Sequence, residues 1–221
     1  MRTESTPNEH AMKFLPGVDV TDALKASGKE EGKGYFPVYE FTSIREAGAA
    51  PLARQLFAID GVSSILFGPN FVTINKRPDV AWPVLKPDIF ATLMDFFTSG
   101  APLILSEHDT SEYVGSDTRI LPDDSEVVQM IKELLDTRIR PAVQEDGGDI
   151  QYLGFEDGIV KLKLRGSCRD CASSAVTLKS GIQNMMIHYI PEVKEVIQVD
   201  DEIDAVNKAQ LEKVEAELKD A

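Results

Sequence analysis

Apolar and polar positions divide the chain into two patterned regions with a polar, unpatterned stretch between them. In the first region Met12-Lys13-Phe14-Leu15-Pro16-Gly17 reads as a short strand stopped by a turn. The polar run SGKEEGKG then leads to a second strand over Tyr35–Thr42. Pro51–Ile59 predicts a helix, with Pro51 suited to a first turn and Leu52, Leu56 and Ile59 at helical spacing. Val62–Phe67 and Phe71–Asn75 flank Gly68-Pro69-Asn70 and predict a hairpin. Trp82–Phe97 carries Leu85, Ile89, Leu93 and Phe96-Phe97 in steps of three and four, a helix ended by Gly100.

The second region is patterned more sharply. Asp123 with Glu126 suits a capping arrangement, and Val127, Val128, Ile131, Leu134, Leu135 and Ile139 form the apolar stripe of an amphipathic helix. Asp146-Gly147-Gly148-Asp149 breaks that helix. Ile150–Phe155 and Ile159–Arg165 flank the turn Glu156-Asp157-Gly158, a hairpin signal. The second strand alternates: Val160, Leu162 and Leu164 on one face, Lys161, Lys163 and Arg165 on the other, so one face is expected covered and the other wet. A helix with Ala175, Leu178, Ile182, Met185-Met186 and Tyr189 inward ends before Pro191, and Val193–Val199 completes the sheet. The order is α-β-β-α-β. The fold class is therefore α/β (α+β), in two small two-layer domains.

The stretch from Leu105 to Asp124 is rich in Ser, Thr, Asp and Glu, which predicts an interdomain linker. We accordingly divide the chain into a first domain at 1–105, a linker at 106–122, a second domain at 123–199 and an acidic tail at 200–221. Tyr113 and Val114 are the only apolar anchors in the linker's centre, so the domains are expected to fold and move independently. The tail has Ile203, Val206, Leu211, Val214 and Leu218 at roughly helical spacing, which favours a solvated, partly frayed helix over a partner-binding one.

Charge narrows the function. The net charge is −14 and both halves of the chain are acidic, so no basic face is available for a phosphate backbone and nucleic acid is excluded as a partner. No apolar run approaches the roughly 18 residues of a membrane helix, and the first residues have neither a signal-peptide core nor an Arg-rich presequence pattern.

The chemistry lies in the two cysteines, Cys168 and Cys171. They sit between a strand and a helix, where free amides and the helix N-terminus favour thiolate, the metal-binding form. Two intervening residues allow both sulfurs to face one side of a tight turn, as in iron–sulfur and zinc sites. Gly166 permits a backbone there that a residue with a Cβ would resist. Two buried structural thiols are disfavoured by the turn location. A dithiol oxidoreductase is disfavoured because its motif follows the first strand of a βαβ pattern, and only Arg165 and Arg169 offer a positive charge nearby.

Metal binding is favoured, but two thiolates do not complete a four-ligand site. His10 is near the start, His108 is in the linker, and His188 lies about 25 Å along the last helix at 1.5 Å per residue. The missing ligands must come from a second chain or a small thiol. A symmetric dimer supplies two plus two.

Gly166-Ser167-Cys168-x-x-Cys171, followed by Ser173-Ser174 and Thr177-Leu178-Lys179-x-Gly181-Ile182, resembles the NifU-type C-terminal scaffold domain. Ile139-Arg140-Pro141-Ala142, Gln144-Glu145-Asp146-Gly147-Gly148-Asp149 and Tyr189-Ile190-Pro191-Glu192-Val193 resemble the same domain. Thr6-Pro7-Asn8, Met12–Gly17, Pro51-Leu52-Ala53 and Lys86-Pro87-Asp88 resemble the Nfu N-terminal domain. The resemblance implies a non-enzymatic carrier of a 4Fe–4S cluster, bridged by Cys168 and Cys171 of two chains in a homodimer, with higher association left open. It implies upstream cluster donors and transfer to apo-proteins such as lipoate synthase and aconitase-type enzymes. It also implies a mitochondrial matrix setting, with the bacterial cytoplasm as the alternative. The first domain would serve structure and partner contacts. Ala172 departs from the family, where Pro often follows the second cysteine, and the tail after Asp200 has no counterpart to carry over.

Overall fold

A computed structural model describes residues 1–20, 38–105, 113–114, 117–169 and 172–199, with the backbone alone at 113–114 and 172–177. The first domain is a six-stranded antiparallel sheet backed by two helices. Its strands are β1 (Arg2–Ser5), β2 (Ala11–Leu15), β3 (Val38–Phe41), β4 (Val62–Phe67), β5 (Val72–Lys76) and β6 (Tyr113–Val114), in the order β1-β2-β5-β4-β3-β6. Its helices are α1 (Pro51–Phe57) and α2 (Trp82–Ser99). Pro51 opens α1, and Gly100 ends α2 at φ 66. The hairpin, both helices and the strand at Met12 lie where the pattern put them. Strand β1 follows no apolar alternation and was not expected; it pairs with β2 from Arg2↔Leu15 to Ser5↔Met12.

Alternation in these strands sorts side chains onto two faces. Met12, Phe14, Tyr39, Phe41, Ile65, Phe67, Val72 and Ile74 share a core with Leu52, Leu56, Leu85, Ile89 and Leu93 of the helices. The opposite face holds Lys13, Glu40, Ser64, Leu66, Thr73 and Asn75. Although mostly polar, all six are buried.

What buries them is the second domain. It begins with α3 (Glu126–Leu134), continues through a widened π turn (Leu135–Ile139) into α4 (Arg140–Glu145), and forms the sheet β7 (Gly148–Glu156), β8 (Ile159–Gly166) and β9 (Glu195–Gln198). The pair β7–β8 is antiparallel and β8–β9 parallel, joined by α5 (Ala172–Tyr189). The widened turn sits before Pro141, which has no N–H to give and would crowd the carbonyl four residues back. The β7–β8 turn has Asp157 at φ 53 and Gly158 at φ 88, both positive as a two-residue type I′ hairpin demands. Ser125, not Asp123, caps α3: its extended backbone places Oγ to accept from the Val128 N–H at 3.3 Å.

Ile131, Leu135, Ile139, Val143, Ile150, Val160, Leu162, Ile182 and Met186 form the second core. The other face of β8 corrects the expectation of a wet surface, since Lys163 and Arg165 are buried. Strand β8 lies across β4 and β5, so the two sheets meet through polar faces. The expectation of freely moving halves therefore meets a docked arrangement. Within the stretch read as linker, β6 extends the first sheet from β3. Asp117 and Thr118 bond into the second domain, Thr118 donating to Asp136 at 2.7 Å. Residues 106–112 and the tail 200–221 lie outside the described residues, as does 35–37 of the second predicted strand.

Candidate cluster-binding site

Strand β8 ends at Gly166, whose φ of 63 turns the chain sharply away from the sheet. A Cβ on Gly166 would lie 2.9 Å from the Gly147 carbonyl oxygen and from Leu66 Cδ1, so only glycine fits this corner. The turn closes with the Cys168 N–H donating to the Arg165 carbonyl and the Arg169 N–H to the Gly166 carbonyl, each at 3.3 Å. Ser167 donates its hydroxyl to the Asp146 carbonyl at 2.7 Å, tying the turn to the end of α4. Cys168 is 5% exposed, and its Sγ lies where a Cβ on Gly148 would be, at 2.5 Å. Gly148 is thus needed for close approach rather than for an unusual φ. The Asp146–Asp149 run, expected only to break a helix, also makes room for the sulfur.

Cys168 lines an open cavity of about 540 Å3 between the π turn and α4 on one side and α5 on the other, with Pro7 of the first domain and Ile139, Val143, Leu178, Ile182 and Met185 in its wall. A larger groove of about 820 Å3 beside Met1, Arg2 and Asn70 has no residue of the second domain in its wall. Cys171 lies outside the described residues, as does His108. Helix α5 starts at Ala172, immediately after the second cysteine. His10 lies 3.3 Å from Lys76 Nζ, and the His188 ring stacks edge-on against Tyr189, so neither is brought to Cys168. Among the described residues no group of three or more His, Cys, Asp or Glu side chains is placed to hold a metal.

The two arginines beside the cysteines face a carboxylate. Glu40 of β3 takes Arg165 Nη1 at 3.0 Å and Arg169 Nη1 at 3.6 Å on Oε2, and the Gly166 N–H at 2.9 Å on Oε1. The first domain holds both turns around Cys168 through further bonds. Asn8 donates to the Ser167 carbonyl at 3.0 Å and Asn75 to the Gly166 carbonyl at 3.0 Å. Thr73 donates to the Gly147 carbonyl at 2.6 Å. Lys13 caps the carbonyls of Gln144 and Glu145, both at 3.1 Å, where the helix end is negative. Sequence reasoning missed all of these. For Lys13, Glu40, Thr73 and Asn75 the only trace was a polar residue on a strand face, the usual mark of solvent, while Asn8 lies between β1 and β2.

Beneath the site Arg140 is clamped by Asp136 at 3.2 Å and by Asp117 and Asp149 at 3.4 Å, and it donates to the Ile150 carbonyl at 3.2 Å. Burial pushes the Asp149 carboxyl up to about 7, against the pull of Arg140. The cluster ties 117 and the two flanks of the Asp146–Asp149 turn into one buried network.

The architecture is thus two docked domains, with a cysteine turn of the second held on the antiparallel sheet of the first. The family model "NifU-like domain" matches residues 131–197, and "Scaffold protein Nfu/NifU N terminal" matches residues 1–100. The chain is 50% identical over 219 residues to the protein named "NFU1 iron-sulfur cluster scaffold homolog, mitochondrial" of Drosophila erecta, covering 99% of this chain and 71% of that one. The protein of that name from Drosophila grimshawi is 49% identical, with 99% and 68% covered. A solution structure of a NifU-like protein from Saccharomyces cerevisiae aligns at 31% identity and a TM-score of 0.37, over 48% of this chain and 84% of that one. The chain belongs to the Nfu/NifU family.

Proposed function

We propose that the chain is a mitochondrial iron–sulfur cluster scaffold that holds a 4Fe–4S cluster between two copies and passes it to apo-proteins. The observation that carries this reading is Cys168, set on a glycine-built turn beside an open cavity, with no described His, Asp or Glu cluster to finish a ligand set. Cys171, three residues on, is the second ligand of each chain, and a second copy brings the other two. The cluster is cargo. The chain's residues bind and orient it, and each thiol gives up its proton on loading, so uptake is favoured as pH rises.

Arg165 and Arg169 are turned to Glu40, which weakens the rival reading of a dithiol reductase whose thiol is activated by those cations. Donors upstream and recipients downstream follow from the carrier role, with lipoate synthase and aconitase-type enzymes as the candidate recipients and the matrix as the compartment. Cys168→Ser and Cys171→Ser, each loaded anaerobically with iron and sulfide, test the ligands. Each variant is expected to lose stable iron while its circular dichroism stays that of the parent. A variant retaining full iron overturns that ligand.

A further inference from the structure

We infer that Glu40, a residue of the first domain, is a positioning residue for the cluster ligands of the second, and that its grip on the cysteine turn sets how long cargo is retained. The inference rests on the reading of Cys168 as a ligand. Glu40's side chain is 1% exposed and reaches residues on both sides of Cys168: Arg165 and Gly166 before it, Arg169 after it. Its bonds to Arg165 and the Gly166 N–H are charge-assisted, short and directional, and the Arg169 guanidinium adds a looser ion pair at 3.6 Å, so the carboxylate fixes the turn's orientation and not merely its burial. Asn75, Asn8 and Thr73 add bonds to main-chain carbonyls at Gly166, Ser167 and Gly147. All of these take the main chain or a guanidinium group, while the Cys168 side chain lines the cavity. The first domain thus grips the turn through its main chain and guanidinium groups, and among its described residues only Pro7 reaches the cavity beside Cys168.

A buried carboxylate facing two arginines is a costly way to make two sheets adhere, since apolar residues would do so without the penalty of taking charges out of water. It gives instead an arrangement with two clean states. When docked, the charges satisfy one another and the turn is held. When undocked, they return to water and the turn is released. Ligand exchange at Cys168 requires the turn to move, so the docked state slows it. The first domain thereby enters the chemistry of retention without contributing a ligand.

The test uses the full chain. Glu40→Gln removes the carboxylate charge that faces Arg165 at 3.0 Å, whereas Glu40→Gln with Arg165→Gln removes both charges of the pair. Three quantities are read: iron bound per chain after anaerobic loading, the rate of bleaching by a chelator, and amide hydrogen exchange of the cluster-free chain over 144–148 and 163–169. Glu40→Gln is expected to bind iron to the parent's level yet bleach about tenfold faster, the change that follows from a barrier lower by about 1.4 kcal/mol. Exchange at both turns should rise, and the double variant, which also lacks the charged grip, should stay faster than the parent in both rates; parental rates in the double variant overturn the inference, because a stranded charge and not the lost grip would then speed release. Faster exchange with parental bleaching overturns the inference while leaving the ligands intact. Full iron on Cys168→Ser overturns the ligand reading instead, whatever Glu40 does. If Glu40→Gln does not fold, Thr73→Val, which removes one hydroxyl bond to Gly147, carries the same test. It should bleach two- to threefold faster, and a parental rate with raised exchange at 144–148 overturns the inference.

Discussion

Gly148→Ala places a methyl group where the Cys168 sulfur already lies. The added Cβ would sit 2.5 Å from Sγ, 2.9 Å from the Arg165 carbonyl oxygen and 3.3 Å from Cys168 Cβ. The sulfur can rotate toward the cavity, which relieves part of the clash. The Arg165 oxygen cannot, because it belongs to β8 and accepts the Cys168 N–H that closes the turn. Relief therefore has to come from the Gly148↔Gly166 end of the β7–β8 ladder. Overpacking of this kind costs about 1–3 kcal/mol. In a chain of this size that is a fall in Tm of about 2–4 °C for each kcal/mol. The assay is thermal unfolding of the cluster-free protein by circular dichroism, with alkylation of Cys168 followed alongside in a Cys171→Ser background. The substitution should lower Tm and speed alkylation, because the sulfur is pushed from a site where the residue is 5% exposed toward the open cavity. Unchanged Tm together with unchanged alkylation would refute the close approach of Gly148 to Sγ.

Other perturbations test the rest of the structure. Gly181→Ala, on the exposed side of α5 with nothing within 4 Å of the new Cβ, should stabilise the chain by about 0.5–1 kcal/mol, read from urea midpoints; a loss would show that the space is filled. Arg140→Met removes the shared partner of Asp117 and the buried Asp149, and of the partly exposed Asp136, and should cost about 3–5 kcal/mol by the same measurement. Asp149 keeps its proton to about pH 7 in the folded chain but loses it near pH 4 when unfolded, so its contribution to stability is full below pH 4 and is lost as pH rises to about 7. Asp149→Asn should remove that loss, and its stability relative to the parent should climb between about pH 4 and 7 and level off above; parallel pH curves for the two proteins would count against a raised Asp149.

Much of the fold was legible because each domain obeys a single-layer rule. Phe14, Val72 and Ile74 alternate with polar neighbours, and Leu85, Ile89 and Leu93 recur at helical spacing, so strands and helices declare their buried faces. The turn at Cys168 was legible for another reason: Gly166, at φ 63, is required by local backbone geometry. What stayed hidden was non-local. Glu40 and Arg165 are 125 residues apart in sequence, and each alternates like a solvent-facing strand residue. Nothing in either strand alone says that the two polar faces meet. Strand β1 was missed because Arg2–Ser5 is an exposed edge whose pairing comes from β2 rather than from its own pattern. The cap of α3 went to Ser125 because only the backbone conformation, and not the residue types, distinguishes it from Asp123.

The central claim is ligand arithmetic: two cysteines per chain, four thiolates per 4Fe–4S cluster, hence two chains per cluster. The most direct measurement is anaerobic size-exclusion chromatography with light scattering on the loaded chain, with iron and acid-labile sulfide determined on the same peak and no small thiol added. The account predicts a dimer carrying one 4Fe–4S cluster per two chains, which reverts to monomer when a chelator removes the iron. A monomer carrying a complete 4Fe–4S cluster would contradict it.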